Sequence, residues 1–313
     1  MTDFYNNKLI LAPMAGVTDL AFRSLCKEHG ADLVFSEMVS SRGLHYKDKK
    51  THELLKSNSI ESPLIVQIFG NEPHYMAEAA KILEDSGVKY LDINMGCPAP
   101  KIIKNGDGCS LMRDEVLAAK IAESVVSAVS IPVSVKIRAG WDNSNINAVS
   151  FAKVMESSGV SAITVHGRTK EQFYSGVADL EIIKNVKDSV RIPVIGNGDI
   201  TDGNSALEML TKTRCDSLMV GRGALGNPFI FQEIKHTLEG KTMPEISILN
   251  KKQATIRHID LMQECKDERI GVPEMRKHFA WYLKGLPNSG KLKTQVFSLK
   301  TYKEIKEFLE TVF

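Results

Sequence analysis

The sequence predicts an α/β fold: a (β/α)8 TIM barrel followed by a small all-helical C-terminal domain. Short apolar runs rich in β-forming residues recur eight times, helix-type segments separate them, and the alternation stops near residue 240. Eight strand–helix units over about 240 residues is the usual size of such a barrel. A doubly wound sheet, with fewer strands and a crevice at its switch point, is the alternative.

The predicted strands are short and parallel, because a helical segment follows each of them. They cover Leu9–Met14, Leu33–Met38, Leu64–Phe69, Tyr90–Met95, Val133–Arg138, Ala162–His166, Pro193–Gly196 and Ser217–Val220. The segments between them carry helix signals. Asp19 is a suitable N-cap for a helix over Leu20–His29, and Gly30 is a suitable stop signal.

The last part of the chain has no strand signal. Residues 237–246 contain Gly240 and Pro244, which indicates a linker. Beyond it the pattern predicts helices over Ile248–Glu264, Pro273–Leu283 and Thr301–Val312. We therefore predict a catalytic barrel over residues 1–240 and a helical domain over residues 247–313.

The composition is that of an ordinary globular protein. With 313 residues, 43% of them hydrophobic and 25% charged, the chain can bury one large core. Its longest apolar runs are of strand length and its start lacks a signal pattern, so we expect a cytoplasmic protein with no membrane segment. The five cysteines are scattered and include no Cys-x-x-Cys pair, so we expect neither a disulfide framework nor a metal site. We also expect a monomer.

Positive charge is concentrated in the tail. The net charge of the whole chain is only +2, but residues 247–313 carry 13 Lys and Arg against 8 Asp and Glu. The first 246 residues carry 27 against 30. A basic tail on a near-neutral body suggests a polyanionic partner.

A thiol follows the fourth predicted strand, in the segment Asn94-Met95-Gly96-Cys97-Pro98-Ala99-Pro100. Gly96 permits unusual backbone angles, and Pro98 prevents the strand from continuing. Cys97 therefore lies on a loop at a strand end, where barrel enzymes carry their active sites. The spacing alone leaves a second interpretation open, that of an inert, small apolar residue.

Polar residues and glycines stand where the other strands stop. Each alone has a structural interpretation, such as a hydrogen bond to a loop or an ion pair in the core. Together they favour an active site, because the C-terminal ends of barrel strands meet at one face. They are Pro13-Met14-Ala15-Gly16, Glu37, Gln67, Asn94 with Cys97, Lys136 with Arg138, His166 with Arg168, Asn197-Gly198-Asp199 and Gly221-Arg222-Gly223.

The ends of the last two strands predict a phosphate site. Their glycines let the backbone approach an anion closely, and Arg222 can add a charged hydrogen bond. Residues 221–226 also match G-x-G-x-x-G, but no strand follows them to complete a βαβ unit. A phosphorylated cofactor is expected, and Lys136 favours a flavin because its charge suits the negative charge of the reduced ring.

Seven segments carry a resemblance to a known family. They are Leu11–Asp19 (LAPMAGVTD), Asn94–Pro98 (NMGCP), Val135–Arg138 (VKIR), His166–Thr169 (HGRT), Gly196–Asp199 (GNGD), Gly221–Gly223 (GRG) and, in the tail, Met275–Gly285 (MRKHFAWYLKG). Together and in this order they resemble the tRNA-dihydrouridine synthase family, of the general bacterial type. The resemblance spans almost the whole chain, and the tail segment is similar to the family's helical tRNA-binding domain.

The resemblance implies an FMN-containing barrel that reduces the C5=C6 bond of particular uridines in tRNA, with NADPH recharging the flavin. It implies that Cys97 is the proton donor and that Asn94 and Arg138 contact the uracil. The residues implied to hold FMN are Pro13, Met14, Ala15, Gln67, Lys136, His166, Asn197, Gly198, Asp199, Gly221 and Arg222. An unperturbed thiol, with a pKa of about 8.5, is mostly protonated at neutral pH and can donate.

Binding tRNA makes demands on the tail, because turning a base out of its stack costs a few kcal/mol that phosphate contacts must offset. Trp281 or Tyr282 could stack on a base, although the helical spacing of Phe279, Tyr282 and Leu283 favours core packing. The tail cations could equally form a solvated face. The candidates for phosphate contacts are Lys251, Lys252, Arg257, Arg276, Lys277, Lys284, Lys291 and Lys293.

Two other functions remain open. One is an FMN barrel enzyme acting on a free base, a dihydroorotate or dihydropyrimidine dehydrogenase; the basic tail argues against it. The other is a tRNA-binding protein without catalysis, against which Cys97 and Lys136 argue. Cys109, on the same glycine-rich loop as Cys97, stands where the family has a small residue, and we interpret it as a substitute for alanine or serine.

Overall fold

The computed structural model describes residues 2–313. Its strands form one sheet in which all pairs are parallel. The strands are β1 (Leu9–Leu11), β2 (Leu33–Phe35), β3 (Val39–Ser40), β4 (Leu64–Phe69), β5 (Leu91–Asn94), β6 (Val133–Arg138), β7 (Ala162–His166), β8 (Val194–Asn197) and β9 (Ser217–Val220). The sheet closes because β2 pairs with both β1 and β4, with Val34 opposite Leu64.

This closure confirms the predicted barrel and excludes the doubly wound sheet, which has two open edges. The eight predicted strands are all present, and β3 is a short addition beside the end of β4. Three strands are shorter than predicted, and β5 lacks only the residue at each end of its predicted range. β1 ends before Pro13, which has no N–H to donate to the ladder. After β2, the Ser36 hydroxyl accepts the Gln67 N–H at 3.0 Å, so a side chain replaces the backbone partner.

Helices separate the strands, as predicted. They are α1 (Leu20–Glu28), α2 (Ser41–His45), α3 (Lys49–Glu53), α4 (Pro73–Asp85), α5 (Pro100–Lys104), α6 (Glu115–Ala128), α7 (Ala148–Ser157), α8 (Leu180–Ser189), α9 (Gly203–Thr213) and α10 (Ile230–Leu238). Asp19 caps α1 as expected, because its carboxylate accepts the Phe22 N–H at 2.9 Å. Gly30 follows α1 with a φ of +100°, a conformation that favours glycine.

The tail holds four helices: α11 (Ile248–Cys265), α12 (Glu268–Tyr282), α13 (Ser289–Ser298) and α14 (Tyr302–Val312). Two predictions need correction. α12 begins at Glu268, so Pro273 lies inside it rather than at its start. α13 was not predicted, because its only buried side chain is Val296 and it lacks an apolar stripe. The predicted linker includes the end of α10 and most of the irregular stretch before α11.

The N-terminal end of the barrel is filled by side chains. Tyr5, Ile10, Phe35 and Ile65 are fully buried there in one apolar cluster. The Phe4 ring stacks on Tyr90 with ring centres 3.7 Å apart. The barrel can therefore open only at the opposite face, where the strands end. No helix among residues 2–313 combines the length and apolar character needed to cross a membrane.

The tail packs on the outside of the barrel against α1. The Phe22 ring lies 5.0 Å from His278 and 5.5 Å from His258, measured between ring centres. On the loop after β9, Gly226 has a φ of +69°, and a Cβ there would lie 2.5 Å from the Trp281 backbone. This close approach places the end of α12 beside the open face of the barrel.

Candidate active site

One cavity of about 750 Å³ opens at the C-terminal ends of the strands. Every residue that the resemblance assigned to FMN, to the uracil or to proton donation lines it, although those residues come from seven different strand ends. They are Pro13, Met14, Ala15, Gln67, Asn94, Cys97, Lys136, Arg138, His166, Asn197, Gly198, Asp199, Gly221 and Arg222. The prediction that these side chains lie close together is therefore met, while their individual roles are a separate question. Of the wider set of strand-end residues, Gly16, Glu37 and Arg168 do not line the cavity.

The Cys97 thiol is half-buried in the cavity wall, on the loop after β5. The Asn94 side chain holds this loop, because its Oδ1 accepts the backbone N–H groups of Gly96 at 3.2 Å and Cys97 at 2.9 Å. Burial raises the pKa of the thiol above its ordinary value, although the nearby Arg138 and Lys136 oppose that rise. The group therefore carries its proton at neutral pH.

A chain of hydrogen bonds runs behind the loop. Asn94 Nδ2 donates to Gln67 Oε1 at 2.8 Å, and Gln67 Nε2 donates to Asp92 at 2.7 Å. Ser134 donates to the other Asp92 oxygen at 2.6 Å. Burial raises the pKa of Asp92 to about 6. The sequence interpretation missed Asp92, although a carboxylate inside an apolar strand was the available signal.

Lys136 lies partly buried near the centre of the cavity. Its Nζ donates to Asn197 Oδ1 at 2.9 Å, and Asn197 Nδ2 donates to the Met219 carbonyl at 2.7 Å. Burial, and then the charge of Arg138, lower the pKa of Lys136 to about 8. The ammonium lacks a carboxylate partner among the described residues, so it is available to an anionic ligand.

Arg138 is buried and held by backbone carbonyls. Its Nε donates to Gly96 at 3.0 Å, and its Nη1 donates to Thr169 and Phe173 at 2.9 Å. These three hydrogen bonds connect the Cys97 loop to the loop after β7. Because three carbonyls orient it, the guanidinium is a fixed positive charge at the cavity wall.

His166 is a neutral group. Burial and the neighbouring cations lower its pKa well below the usual range. Its Nδ1 accepts the Arg168 N–H at 3.1 Å, which assigns the ring proton to Nε2.

The ends of β8 and β9 form an anion cradle. Gly198 has a φ of +128°, and a Cβ there would lie 2.6 Å from the Ala178 Cβ. The Asp199 carboxylate orders the cations around it, accepting Arg168 Nη1 at 2.7 Å and Arg222 Nη2 at 3.2 Å. Arg222 is 46% exposed at the side chain and can turn towards an anion. This donor set suits a phosphate group.

Several cavity residues lie outside the strand ends: Phe173 and Tyr174 were not foreseen, and Trp281 and Lys284 were expected only as RNA contacts of the tail. Phe173 and Tyr174 come from the loop after β7, and the Arg222 guanidinium lies 4.7 Å from the Tyr174 ring centre. Trp281 and Lys284 come from the tail. A search of strand ends could not find them, because none follows a strand directly.

The two tail aromatics considered for base stacking, Trp281 and Tyr282, lie in different surroundings. Tyr282 and Leu283 are buried in the core, as the helical spacing favoured, and the Tyr282 hydroxyl contacts His258 Nδ1 at 3.1 Å. Trp281 lines the cavity instead. Of the two, only Trp281 is placed to meet a ligand.

Cys109 lies behind the Cys97 loop. Its N–H donates to the Cys97 carbonyl at 3.1 Å, and its sulfur is buried near the Gly140 carbonyl at 3.9 Å. Burial raises the pKa of this thiol to about 12. It fills space in the way that a small apolar residue would.

The tail cations divide into two groups. Four are engaged within the protein: Lys252 with Glu310, Arg257 with Glu28, Arg276 with the Leu299 carbonyl and Lys277 with the Gly16 carbonyl. The side chains of the other four make no hydrogen bond or ion pair within residues 2–313; these residues are Lys251, Lys284, Lys291 and Lys293. These four are the better candidates for a phosphate backbone.

Comparison with known proteins identifies the family of this chain. A sequence profile described as "Dihydrouridine synthase (Dus)" matches residues 10–313. The chain belongs to the dihydrouridine synthase family. It is 48% identical to a "Probable tRNA-dihydrouridine synthase" of Rickettsia bellii, over 93% of this chain and 90% of the relative. It is 42% identical to "tRNA-dihydrouridine synthase B" of Pseudomonas aeruginosa, over 92% of this chain and 87% of the relative.

Solved structures share the fold of this dihydrouridine synthase family member at low identity. Histamine dehydrogenase from Rhizobium sp. 4-9 superposes with a TM-score of 0.59 at 12% identity, over 82% of this chain and 49% of that one. A 2-naphthoyl-CoA reductase gives a TM-score of 0.57 at 12% identity, over 76% and 50%. At this identity the likeness establishes the barrel and nothing about substrate.

Proposed function

We propose that this protein is an FMN-dependent tRNA-dihydrouridine synthase that reduces the C5=C6 bond of particular uridines in tRNA, with NADPH as reductant. One observation carries the proposal: a protonated thiol, Cys97, and the Lys136 ammonium line one cavity in a chain of the dihydrouridine synthase family. The names of the relatives support tRNA as substrate. A cytoplasmic location and a monomeric state remain expectations.

The cavity fits FMN in size and in donor set. A volume of about 750 Å³ lies within the ordinary range for ligand pockets. Gly198, Gly221 and Arg222 would hold the phosphate, with Asn197 and Asp199 supporting them. The isoalloxazine ring would meet the residues at the other strand ends, which are Pro13, Met14, Ala15, Gln67, Lys136 and His166.

When bound and reduced by NADPH, FMN supplies the hydride. Addition of that hydride at uracil C6 would leave enolate-like negative charge at C5, which must then receive a proton. Cys97 provides that proton from its Sγ, because burial keeps the thiol protonated at neutral pH. The product gains one hydride and one proton, and the resulting thiolate recovers its proton from solvent.

Positive charge around the cavity stabilises the negative charge that develops on both partners. Lys136 would stabilise charge on the flavin, and Arg138 would stabilise it on the uracil carbonyl oxygen. Asn94 orients the proton donor through the Cys97 N–H and offers its remaining amide hydrogen to the uracil. His166, which is neutral, can donate one hydrogen bond without adding charge.

The tail supplies the RNA contacts in this proposal. Residues 1–240 would form the catalytic unit and residues 247–313 the tRNA-binding unit. Trp281 and Lys284 lie at the junction, where a target nucleotide turned out of its stack would enter. Stacking on Trp281 and contacts from the unengaged lysines would offset the unstacking cost.

Anaerobic single-turnover kinetics test the proposal. The purified protein, loaded with FMN and reduced by NADPH, should be reoxidised by tRNA that lacks dihydrouridine and much more slowly by fully modified tRNA. Reoxidation by free uracil or orotate, with no response to tRNA, would indicate a free-base enzyme. Failure to bind FMN, with tRNA binding intact, would indicate a binding protein without catalysis. Dihydrouridine mapping in a deletion strain then identifies the modified position.

A further inference from the structure

A second polar cluster lies away from the cavity, where the tail meets the barrel. Asp19 caps α1, while His258 comes from α11 and His278 from α12. One ligand atom from each, a carboxylate oxygen and two imidazole nitrogens, lies within 4.8 Å of the other two. The three residues are respectively 7%, 0% and 1% exposed. The proposed reaction makes no use of them.

The hydrogen bonds of this cluster are incomplete. His258 Nδ1 pairs with the Tyr282 hydroxyl at 3.1 Å, but its Nε2 is buried without a partner. His278 Nδ1 is likewise buried without a partner. The two rings meet edge to face with centres 4.5 Å apart. Buried polar atoms nearly always have a partner, so two such atoms beside one carboxylate indicate a missing ligand.

We propose that Asp19, His258 and His278 bind a divalent transition-metal ion, with Zn²⁺ as the ion to test. Two imidazoles and a carboxylate are a common zinc ligand set, and small shifts would bring them to the required distances of about 2.0–2.2 Å. The metal would join α1 of the barrel to α11 and α12 of the tail. This proposal departs from our expectation from the cysteine pattern that the chain has no metal site.

One neighbour opposes the ion. Lys266 Nζ donates to Asp19 Oδ2 at 2.8 Å and also pairs with Glu274. Its charge repels a cation, but Glu274 can retain the ammonium after it leaves Asp19. Lys266 and a metal ion therefore compete for the Asp19 carboxylate. Removing the lysine should raise the affinity for the metal, and removing a histidine should lower it.

Metal content and affinity test the proposal on the full chain. After chelator treatment and dialysis, the protein should take up one Zn²⁺ per chain, measured by elemental analysis after gel filtration. Its melting temperature should rise with added Zn²⁺. His258→Gln and His278→Gln should each lower the affinity at least about tenfold, as losing a ligand should cost no less than losing an outer-shell partner. His74→Gln, at an exposed histidine, should bind like the wild type.

Lys266→Met is the second test variant, and it leaves all three proposed metal ligands in place. Zn²⁺ affinity should increase roughly tenfold, because a neighbouring positive charge is removed. Co²⁺ loading should give the visible absorption of a low-symmetry nitrogen–oxygen site in the wild type and not in His278→Gln. No Zn²⁺ retention by either the wild type or Lys266→Met would overturn the proposal, as would equal retention by all variants.

Discussion

Asn94 Oδ1 accepts the Cys97 N–H at 2.9 Å, and the same side chain donates to Gln67 at 2.8 Å. The thiol loop is thus joined to a buried chain that continues to Asp92. An asparagine fits here because it offers an acceptor on one side and a donor on the other. The residue that the resemblance assigns to the uracil therefore also orients the proposed proton donor.

Replacing Asn94 tests this arrangement. Asn94→Ala leaves the Gly96 and Cys97 N–H groups and Gln67 Oε1 without partners, so we expect the free energy of unfolding to fall by about 1–3 kcal/mol. Flavin reoxidation by tRNA should slow because the thiol is no longer held in place. Asn94→Asp retains the acceptor for the loop but sets a second acceptor against Gln67 Oε1, so it should lose stability while slowing reoxidation less than Asn94→Ala. Urea denaturation together with stopped-flow reoxidation gives both quantities.

Cys97→Ala should separate the two half-reactions. FMN should bind and be reduced by NADPH as in the wild type, while reoxidation by tRNA slows by about 10²–10⁴-fold, the usual contribution of a general acid. Cys109→Ala is the matched control, because that buried thiol has a pKa of about 12 and fills space. Wild-type reoxidation in Cys97→Ala would remove Cys97 from the mechanism.

The affinity for FMN should depend on pH through Lys136. Its pKa is lowered to about 8 in the ligand-free protein, so the ammonium loses its proton as the pH rises through that value. FMN affinity should therefore be higher at about pH 7 than at about pH 9, since only the charged form attracts the anionic cofactor. Fluorescence titration of the apoprotein measures this dependence.

Two variants test whether Lys136 causes this pH dependence. Lys136→Arg stays positively charged between pH 7 and about pH 9, so its FMN affinity should be high at both pH values. Lys136→Met has no charge at this position, so its FMN affinity should be low at both pH values. A profile in Lys136→Met that still falls near pH 8 would place the titrating group elsewhere.

The unengaged tail lysines should control tRNA binding. Lys284→Glu and Lys291→Glu should each weaken binding and reduce the slope of log affinity against log salt, because phosphate contacts release counterions. Lys303→Glu is the control, as that exposed lysine faces Glu307 at 3.7 Å within α14. Equal slopes in all three variants would show that the tRNA backbone lies elsewhere.

Arg276 and Lys277 should behave differently from these lysines. Arg276 donates to the Leu299 carbonyl and Lys277 to the Gly16 carbonyl. Arg276→Glu should therefore destabilise the tail, and Lys277→Glu should disturb the loop that carries Met14 and Ala15. Thermal denaturation and FMN affinity, measured at one salt concentration, distinguish these effects from a loss of phosphate contacts.

The sequence alone determined the barrel and most of its cavity. Alternating strand and helix signals specify parallel strands, and parallel strands bring their C-terminal ends to one face whatever the loops do. Reading the residues at those ends was therefore enough to find Cys97, Lys136 and Arg138 in one place. The rules that identified them are local, because they depend on periods and turn residues within a few positions.

Only the tertiary structure decided how the tail meets the barrel. Asp19 is far from His258 and His278 in the chain, and the contacts of Lys277 with Gly16 and of Trp281 with Gly226 also join separate segments, so no spacing motif relates them. The tertiary structure also decided which tail cations are free to bind a ligand, because the sequence does not show which of them pair with a carboxylate or a carbonyl. Packing of α11 and α12 on α1 settles these pairings, because contacts between distant segments depend on how the surfaces of whole helices fit together.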